Sequence, residues 1–466
     1  MKSKRLLAAF LLAVSIIVSV ASLCSTQFSY AEDFPELRVH FLDVGQGDCC
    51  IIEFPDGKNM IIDAGDNKSY VKNKIKTYVD DNIKRGNEGK VVFDYAIMTH
   101  SDSDHIGSFE VVYNNYDVKT TYRPNQKAIN KNDDTYADPA SLSTGDSGFW
   151  GNKVGEKDTV IYRNMLKLAY EKSENVIVTN PYSDTQNCIK YDGEDIYKKY
   201  EFNFYSPLSP YYSDNNNYSS IIVLSYQGKN IVLTGDAEKE NEKEFVAAAT
   251  QGVGRYAIFK DFGADVIKLG HHGSKTSTSE AYLNIVTKSD CSKVFAIVSA
   301  GAGNKYNHPN QETLDRLKKF GFSEDRILYT EKPVKDKNGN VVKDKDGNVE
   351  ATKQDIVITV KNENGNYVLK YGDVIGDSSG GANNSVISVA MEWLSAQDSV
   401  TKITVVIAVI LVILLMIIVF VSLSKRKRKK IVKAISGSSN KSGYSKKGNK
   451  SSKKSNGGKS SSKKRK

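Results

Sequence analysis

Short apolar runs, each closed by a turn signal, recur along most of this chain. Positions 37–44, 49–54 and 60–63 have strand length and apolar content, with Gly45-Gln46-Gly47 and Pro55-Asp56-Gly57 between them. They read as three successive strands. Helical spacing follows over 70–84, then a strand over 93–98. Strand-like runs return at 202–205, 220–226 and 230–233 and, after a helical stretch, at 264–269 and 294–298. Strands alternating with helices predict an α/β (α+β) domain. Positions of about 115–199 are rich in Asn, Asp, Lys and Tyr with weak periodicity, and read as an insert. Two near-copies, Lys-Asp-Lys-Asn-Gly-Asn and Lys-Asp-Lys-Asp-Gly-Asn, begin at Lys335 and Lys343. Asn-Gly and Asp-Gly are hairpin-turn dipeptides, and the ligand spacing of a calcium-binding EF-hand is absent.

The two ends follow other patterns. Lys2, Lys4 and Arg5 precede an apolar stretch over 6–23, and Ser29-Tyr30-Ala31 offers a small-x-small cleavage site. Residues 1–31 are therefore expected to be a secretory signal peptide. An uncharged apolar run over 403–423 is followed at once by Lys425-Arg426-Lys427-Arg428-Lys429-Lys430. That pattern predicts a transmembrane helix, 401–424, with its basic flank inside. The remaining 425–466 lacks apolar periodicity and is expected to be a disordered cytoplasmic tail attracted to the anionic inner leaflet. A flexible linker, 375–400, precedes the helix and the body spans 32–374. The expected localisation is the cell membrane, single-pass, with the body extracellular.

Charge changes this picture in one respect. The formal net charge is +10, but 425–466 alone carries 18 Lys and Arg and no acid, so the body is acidic. Cysteine adds little. Cys49, Cys50, Cys188 and Cys291 are too few in so large a body for a disulfide scaffold. Cys49 and Cys50 are neighbours on one strand and point to opposite faces.

The candidate chemistry sits at predicted strand ends. Thr99-His100-Ser101-Asp102-Ser103-Asp104-His105-Ile106-Gly107 follows the strand at 93–98 directly. Helix capping needs one Asp or Ser and leaves the two flanking histidines unexplained. Two imidazoles and two carboxylates on one tight loop repel and desolvate poorly unless a cation takes both ligand types. Thr234-Gly235-Asp236, Gly270-His271-His272-Gly273-Ser274 and Asn307-His308-Pro309 close later runs in the same way. His40, inside an alternating strand, reads as a strand histidine. Open α/β architectures gather their sites at strand ends, so these four loops predict one dinuclear metal site.

This order of motifs resembles the metallo-β-lactamase superfamily, marked by His-x-His-x-Asp-His, a distant bridging Asp and a late His. Together with Phe41-Leu42-Asp43-Val44-Gly45-Gln46-Gly47-Asp48 and Ile62-Asp63-Ala64-Gly65, it is similar to the extracellular hydrolase domain of the ComEC family of DNA-uptake competence proteins. The resemblance implies an αββα sandwich with two divalent ions, Zn2+ or Mn2+. His100 and Asp102 would hold one ion. Asp104, His105 and His271 would hold the other, Asp236 would bridge, and Asp63 would stand behind a ligand histidine and orient it. Asp102 replaces the superfamily's second histidine. Asn217-Tyr218-Ser219-Ser220 stands where a further histidine is found, which makes the first site richer in oxygen and opens it to Mn2+.

Sequence alone leaves the choice between His271 and His272 open; His271 is favoured, with His272 or His308 kept for substrate. The implied reaction is hydrolysis by a metal-activated water, with Asp104 indispensable. His308 or His272 would serve the leaving group or a phosphate oxygen, and Gly273, Ser274 and Asn307 would meet an anion. The expected substrate is DNA or another phosphodiester, which on an acidic body needs a local basic patch, expected from the insert's lysines and tyrosines. Alternatives are the same fold acting on a cell-wall phosphodiester, a phosphorylcholine-type ester, a lactone or an amide, and a non-catalytic metal-containing surface binding protein.

Overall fold

A computed structural model of the chain describes residues 34–85, 89–126, 159–181, 187–209, 212–287, 291–363 and 365–372. These all lie in a unit spanning Met1–Asp377. Its first sheet begins with β1 (Leu37–Phe41), β2 (Cys50–Glu53), β3 (Asn59–Ile62), β4 (Val92–Ile97), β5 (Asp117–Arg123) and β6 (Ser173–Val178). The second sheet follows with β7 (Cys188–Lys190), β8 (Tyr200–Phe204), β9 (Ile222–Tyr226), β10 (Lys229–Leu233), β11 (Val266–Lys268), β12 (Phe295–Val298) and β13 (Ile327–Tyr329). A small ladder pairs β14 (Glu331–Pro333) with β15 (Ala351–Lys353), and β16 (Ile356–Glu363) and β17 (Asn366–Tyr371) return to the first sheet. Strand orders are 17-16-1-2-3-4-5-6 and 13-12-11-10-9-8-7.

Each sheet is mixed. β1, β2 and β3 pair antiparallel, and β3 to β6 run parallel. In the second sheet β7 to β10 are antiparallel and β10 to β13 parallel. The period-2 alternation decides which face each side chain covers. Val39, Phe41, Ile52, Met60 and Ile62 point into one core with Phe202, Phe204, Leu224, Ile231 and Ile297 of the facing sheet. Their sequence neighbours Ile51 and Ile61 point outwards, to the helices Ser69–Asn82, Phe109–Asn115 and Val160–Lys172. Val223, Val232 and Ala296 likewise meet helices Lys239–Gln251, Glu280–Val286 and Gln311–Lys319. Helix, sheet, sheet, helix is thus the layer order.

In helix Ser69–Asn82 the buried residues are Val71, Ile75 and Val79, one per turn on a single face. Helix Val160–Lys172 starts where the Thr159 side chain accepts the Tyr162 N–H, and Lys239–Gln251 stops at Gly252 with φ +61°. His40 is buried on the outer face of β1, bonded to Tyr78 Oη and Glu53, as a strand histidine. Cys49, Cys50, Cys188 and Cys291 are free thiols. Asp336 and Asp344 each accept the N–H groups two and four residues on, so the repeat carboxylates close turns.

Two expectations change. The described parts of the stretch read as an insert are built into the scaffold: they supply β5, β6, β7 and helix Val160–Lys172, whose Tyr162 and Leu166 are buried. Among the described residues, no helix is long and apolar enough to cross a membrane. This finding corrects the expected single-pass localisation at the cell membrane with an extracellular body. The segments that suggested it, the signal peptide, linker, transmembrane helix and basic tail, lie outside the described residues.

Candidate metal centre

The parallel halves of both sheets end on the same side, and their C-terminal ends deliver the polar residues. Asp63 follows β3, Thr99 and His100 follow β4, Asp236 follows β10, His271 and His272 follow β11, and Ser299 follows β12. Three of these sit in left-handed backbone, Asp63 at φ +57°, His271 at +49° and His272 at +55°. Such conformations cost ~1–3 kcal/mol each and persist where the surroundings dictate them.

His105 and His272 form the centre. His105 Nδ1 donates to Asp63 Oδ2 at 2.7 Å, and His272 Nδ1 donates to the Ser299 carbonyl at 2.8 Å. With both Nδ1 atoms engaged as donors, the Nε2 lone pairs face one another across 3.3 Å. Asp236 Oδ1 is 3.1 Å from His105 Nε2, and Asp236 Oδ2 and Asp104 Oδ2 are each 3.4 Å from His272 Nε2. Next to them, buried His100 directs Nδ1 to Thr99 Oγ1 at 3.1 Å and Ser219 Oγ at 3.2 Å, and its Nε2 has no hydrogen-bond partner. Asp102 Oδ2 is 4.0 Å from that Nε2. Asp236 Oδ1 also lacks a hydrogen bond. Facing lone pairs, converging carboxylates and orphaned buried atoms fit a divalent cation held by His and Asp.

Without a cation, protons take over part of that role. Burial pushes the His105 and His272 imidazoles down, but Asp236 with Asp63 and Asp104 more than reverses it. His105 is held well above the ordinary histidine range and His272 at about 10. Burial would raise Asp236 and Asp104, yet the same imidazoles hold both below the usual carboxylate range. His100 goes the other way, to about 4, through burial and the neighbouring His105 charge. It remains a neutral imidazole, the form that ligates.

The structure brings together His100, Asp102, Asp104, His105, Asp236 and His272, with Asp63 behind His105. His271 differs from expectation. Its Nδ1 is 2.9 Å from Glu238 Oε1 and its Nε2 is 3.7 Å from Asp236 Oδ2, so it stands at the rim. His272 takes the inner place because it alone meets the Ser299 carbonyl. Ser274 is spent on its own loop: its N–H donates to His271 O and its Oγ pairs with Thr276 Oγ1. Gly273 makes room for Pro309, whose Cβ is 2.6 Å from where a side chain would begin. Asn307, at φ +58°, turns the chain into His308. The His308 ring lies 5.0 Å from that of His271 and 6.3 Å from that of His272.

Four further residues to which the sequence pattern assigns no site role contribute here: Asp48, Lys268, Ser219 and Glu238. Asp48 is buried, 3.3 Å from His272 Nδ1 and 4.0 Å from His105 Nδ1. It forms a group of potential ligands with His105, Asp236 and His272, but it lies on the Nδ1 side of both rings, behind the facing Nε2 atoms. Lys268, 4 % exposed, reaches Asp48 Oδ2 at 2.5 Å and the Gly235 carbonyl at 3.3 Å. A lysine in the apolar run at 264–269 was the signal available for it. Ser219 Oγ accepts the Asp236 N–H at 3.0 Å, and Glu238 steers His271.

A family model described as the metallo-beta-lactamase superfamily matches residues 42–290. ComE operon protein 3 of Bacillus subtilis (strain 168) is 28% identical over 316 residues, 66% of this chain and 33% of its own length. Recombination protein 2 of Haemophilus influenzae is 25% identical over 289 residues, 61% of this chain and 27% of its own length. The chain thus spans a third or less of these curated relatives. Among solved structures, a diphosphatase from the PhnP family aligns at 10% identity with a TM-score of 0.32, covering 63% of this chain and 94% of that one.

Proposed function

The chain belongs to the metallo-beta-lactamase superfamily, and from that premise we propose that it is a metal-dependent phosphodiesterase that cleaves DNA. The observation that carries the proposal is the pair of Nε2 atoms of His105 and His272 facing each other at 3.3 Å between the Asp104 and Asp236 carboxylates. The nucleic-acid substrate rests on the similarity to the competence and recombination proteins.

Asp104, His105 and His272 would hold one divalent ion, His100 and Asp102 a second, and Asp236 would stand between them. Zn2+ and Mn2+ both suit this mixture of nitrogen and oxygen. When bound, such ions lower the pKa of a shared water and offset charge building at the attacked phosphorus. The chain's own groups do the rest. Asp63 fixes the tautomer of His105, and the Ser299 carbonyl fixes that of His272. Ser219 pins the backbone of Asp236. His308, pushed down to about 4 in the metal-free chain by burial and by the two neighbouring imidazoles, would offer an N–H to a phosphoryl oxygen.

The test is hydrolysis by the purified chain, loaded with Mn2+ or Zn2+, of single- and double-stranded DNA, RNA and bis-p-nitrophenyl phosphate. DNA cleavage that disappears in Asp104→Ala is the expected result. No cleavage of any of the four with either metal refutes the proposal.

A further inference from the structure

The loop from Ala300 to Pro309 holds one aromatic ring in solvent beside the metal centre. Asn304 Oδ1 accepts the backbone N–H of Tyr306 at 3.1 Å and of His308 at 3.0 Å, while its Nδ2 donates to the carbonyls of Gly301 and His308. Asn310 Nδ2 donates to the carbonyls of Tyr306 at 3.3 Å and Asn307 at 3.0 Å. Two asparagine side chains therefore fix the loop from both sides, and Tyr306 is nonetheless 51 % exposed.

The Tyr306 ring stacks on His308, with centroids 5.6 Å apart and planes at 24°. His308 leads on to His271 and His272. A column of rings thus runs from solvent to the ligand cluster. Lys305 Nζ is 4.8 Å from the Tyr306 ring centroid. Exposed Lys275 is fastened to the same loop, its N–H donating to Asn310 Oδ1 at 2.8 Å.

We propose, on the strength of the DNA-cleaving reading above, that Tyr306 is the platform on which the base adjoining the scissile phosphodiester stacks, with Lys305 and Lys275 meeting the flanking phosphates. Every base has a π-face, so stacking holds a strand without reading its sequence. It also works independently of net charge, which suits an acidic domain. In this reading Lys305, Lys275 and Tyr306 form a basic and aromatic patch beside the metal centre; much of the stretch at 115–199, whose lysines and tyrosines were expected to form one, lies outside the described residues.

The experiment compares two single strands of equal length, an oligodeoxynucleotide and its counterpart with an abasic residue at every position, cleaved by the metal-loaded wild type, Tyr306→Ala and Tyr306→Phe. Tyr306→Ala should raise KM for the normal strand about tenfold with little change in kcat, in keeping with ~1–3 kcal/mol for one stacked base. On the abasic strand Tyr306→Ala should match the wild type, and Tyr306→Phe should retain the wild-type KM on both. Equal losses on the two strands, or no loss on either, overturn the platform while leaving the phosphodiesterase reading intact. A wild type inert on both strands overturns the platform, and one inert also on double-stranded DNA, RNA and bis-p-nitrophenyl phosphate overturns the phosphodiesterase reading with it.

Discussion

Replacing Asp63 by asparagine alters almost no volume, yet it should disable a ligand that the new side chain does not replace. Asp63 is 1 % exposed; its Oδ1 accepts the Thr99 N–H at 2.9 Å, and its Oδ2 accepts from Thr99 Oγ1 and His105 Nδ1, both at 2.7 Å. Asparagine has one oxygen, and the buried Thr99 N–H requires it. Its NH2 group then meets His105 Nδ1, which must turn from donor to acceptor. The imidazole proton moves to Nε2, the atom that faces His272 across 3.3 Å, and the lone pair available to a cation is lost. A hydrogen bond to a charged group is worth ~1.5–3 kcal/mol. At ~1.4 kcal/mol per decade that is a 10- to 100-fold weaker metal Kd, the range expected for groups behind metal ligands. Calorimetric titration of Mn2+ and Zn2+ into wild type and Asp63→Asn measures it, with circular dichroism to establish that the variant is folded. A folded Asp63→Asn whose Kd stays within about threefold of wild type would refute the tautomer argument.

Four further outcomes follow from the same geometry. Lys268→Met takes from the buried Asp48 carboxylate its nearest cation, leaving only the His272 and His105 imidazoles beside it, and should cost ~3–5 kcal/mol in urea denaturation, with most of it regained in Lys268→Met/Asp48→Asn; a loss under ~1 kcal/mol, the worth of an exposed pair, contradicts this. Gly47→Ala places a Cβ 2.3 Å from the Asp104 carbonyl oxygen, so it should weaken metal binding and hydrolysis; Gly57→Ala, also at positive φ but in open space, should lose stability alone. The metal-free chain should have a stability plateau with two edges. The raised pKa values of His105 and His272 give stability that is full below their unfolded value near 6.5 and lost as pH rises towards about 10 for His272. The depressed Asp104 and Asp236 give stability present above pH ~4 and lost in acid. Metal binding, which displaces those imidazole protons, should release protons at pH 7; calorimetry in buffers of different ionisation enthalpy counts them.

Most of this protein's architecture follows from local pattern. The strands at β1, β2, β3, β4, β9, β10 and β12 are legible because their apolar residues alternate or run continuously and end at glycine or aspartate turns. The cluster from His100 to His105 is legible because four potential ligands in six positions have no other economical explanation. β5, β6 and β7 escaped because polar residues interrupt their apolar ones: β6, Ser-Glu-Asn-Val-Ile-Val, is a sheet edge with no buried residue, and only parallel pairing with β5 identifies it.

The sequence by itself determined the candidate ligand types, their order and their positions at strand ends, since chain geometry places any residue after a parallel strand at the same edge of the sheet. Tertiary structure decided which of two adjacent histidines faces inwards. His271 and His272 share the same left-handed backbone, and no local preference separates them. The Ser299 carbonyl at the end of β12, 27 residues away, takes Nδ1 of His272, and Glu238 takes that of His271. Tertiary structure likewise made a buried pair of Asp48 and Lys268, which stand 220 residues apart. A charge in an apolar strand acquires its meaning only when the opposite charge is folded against it.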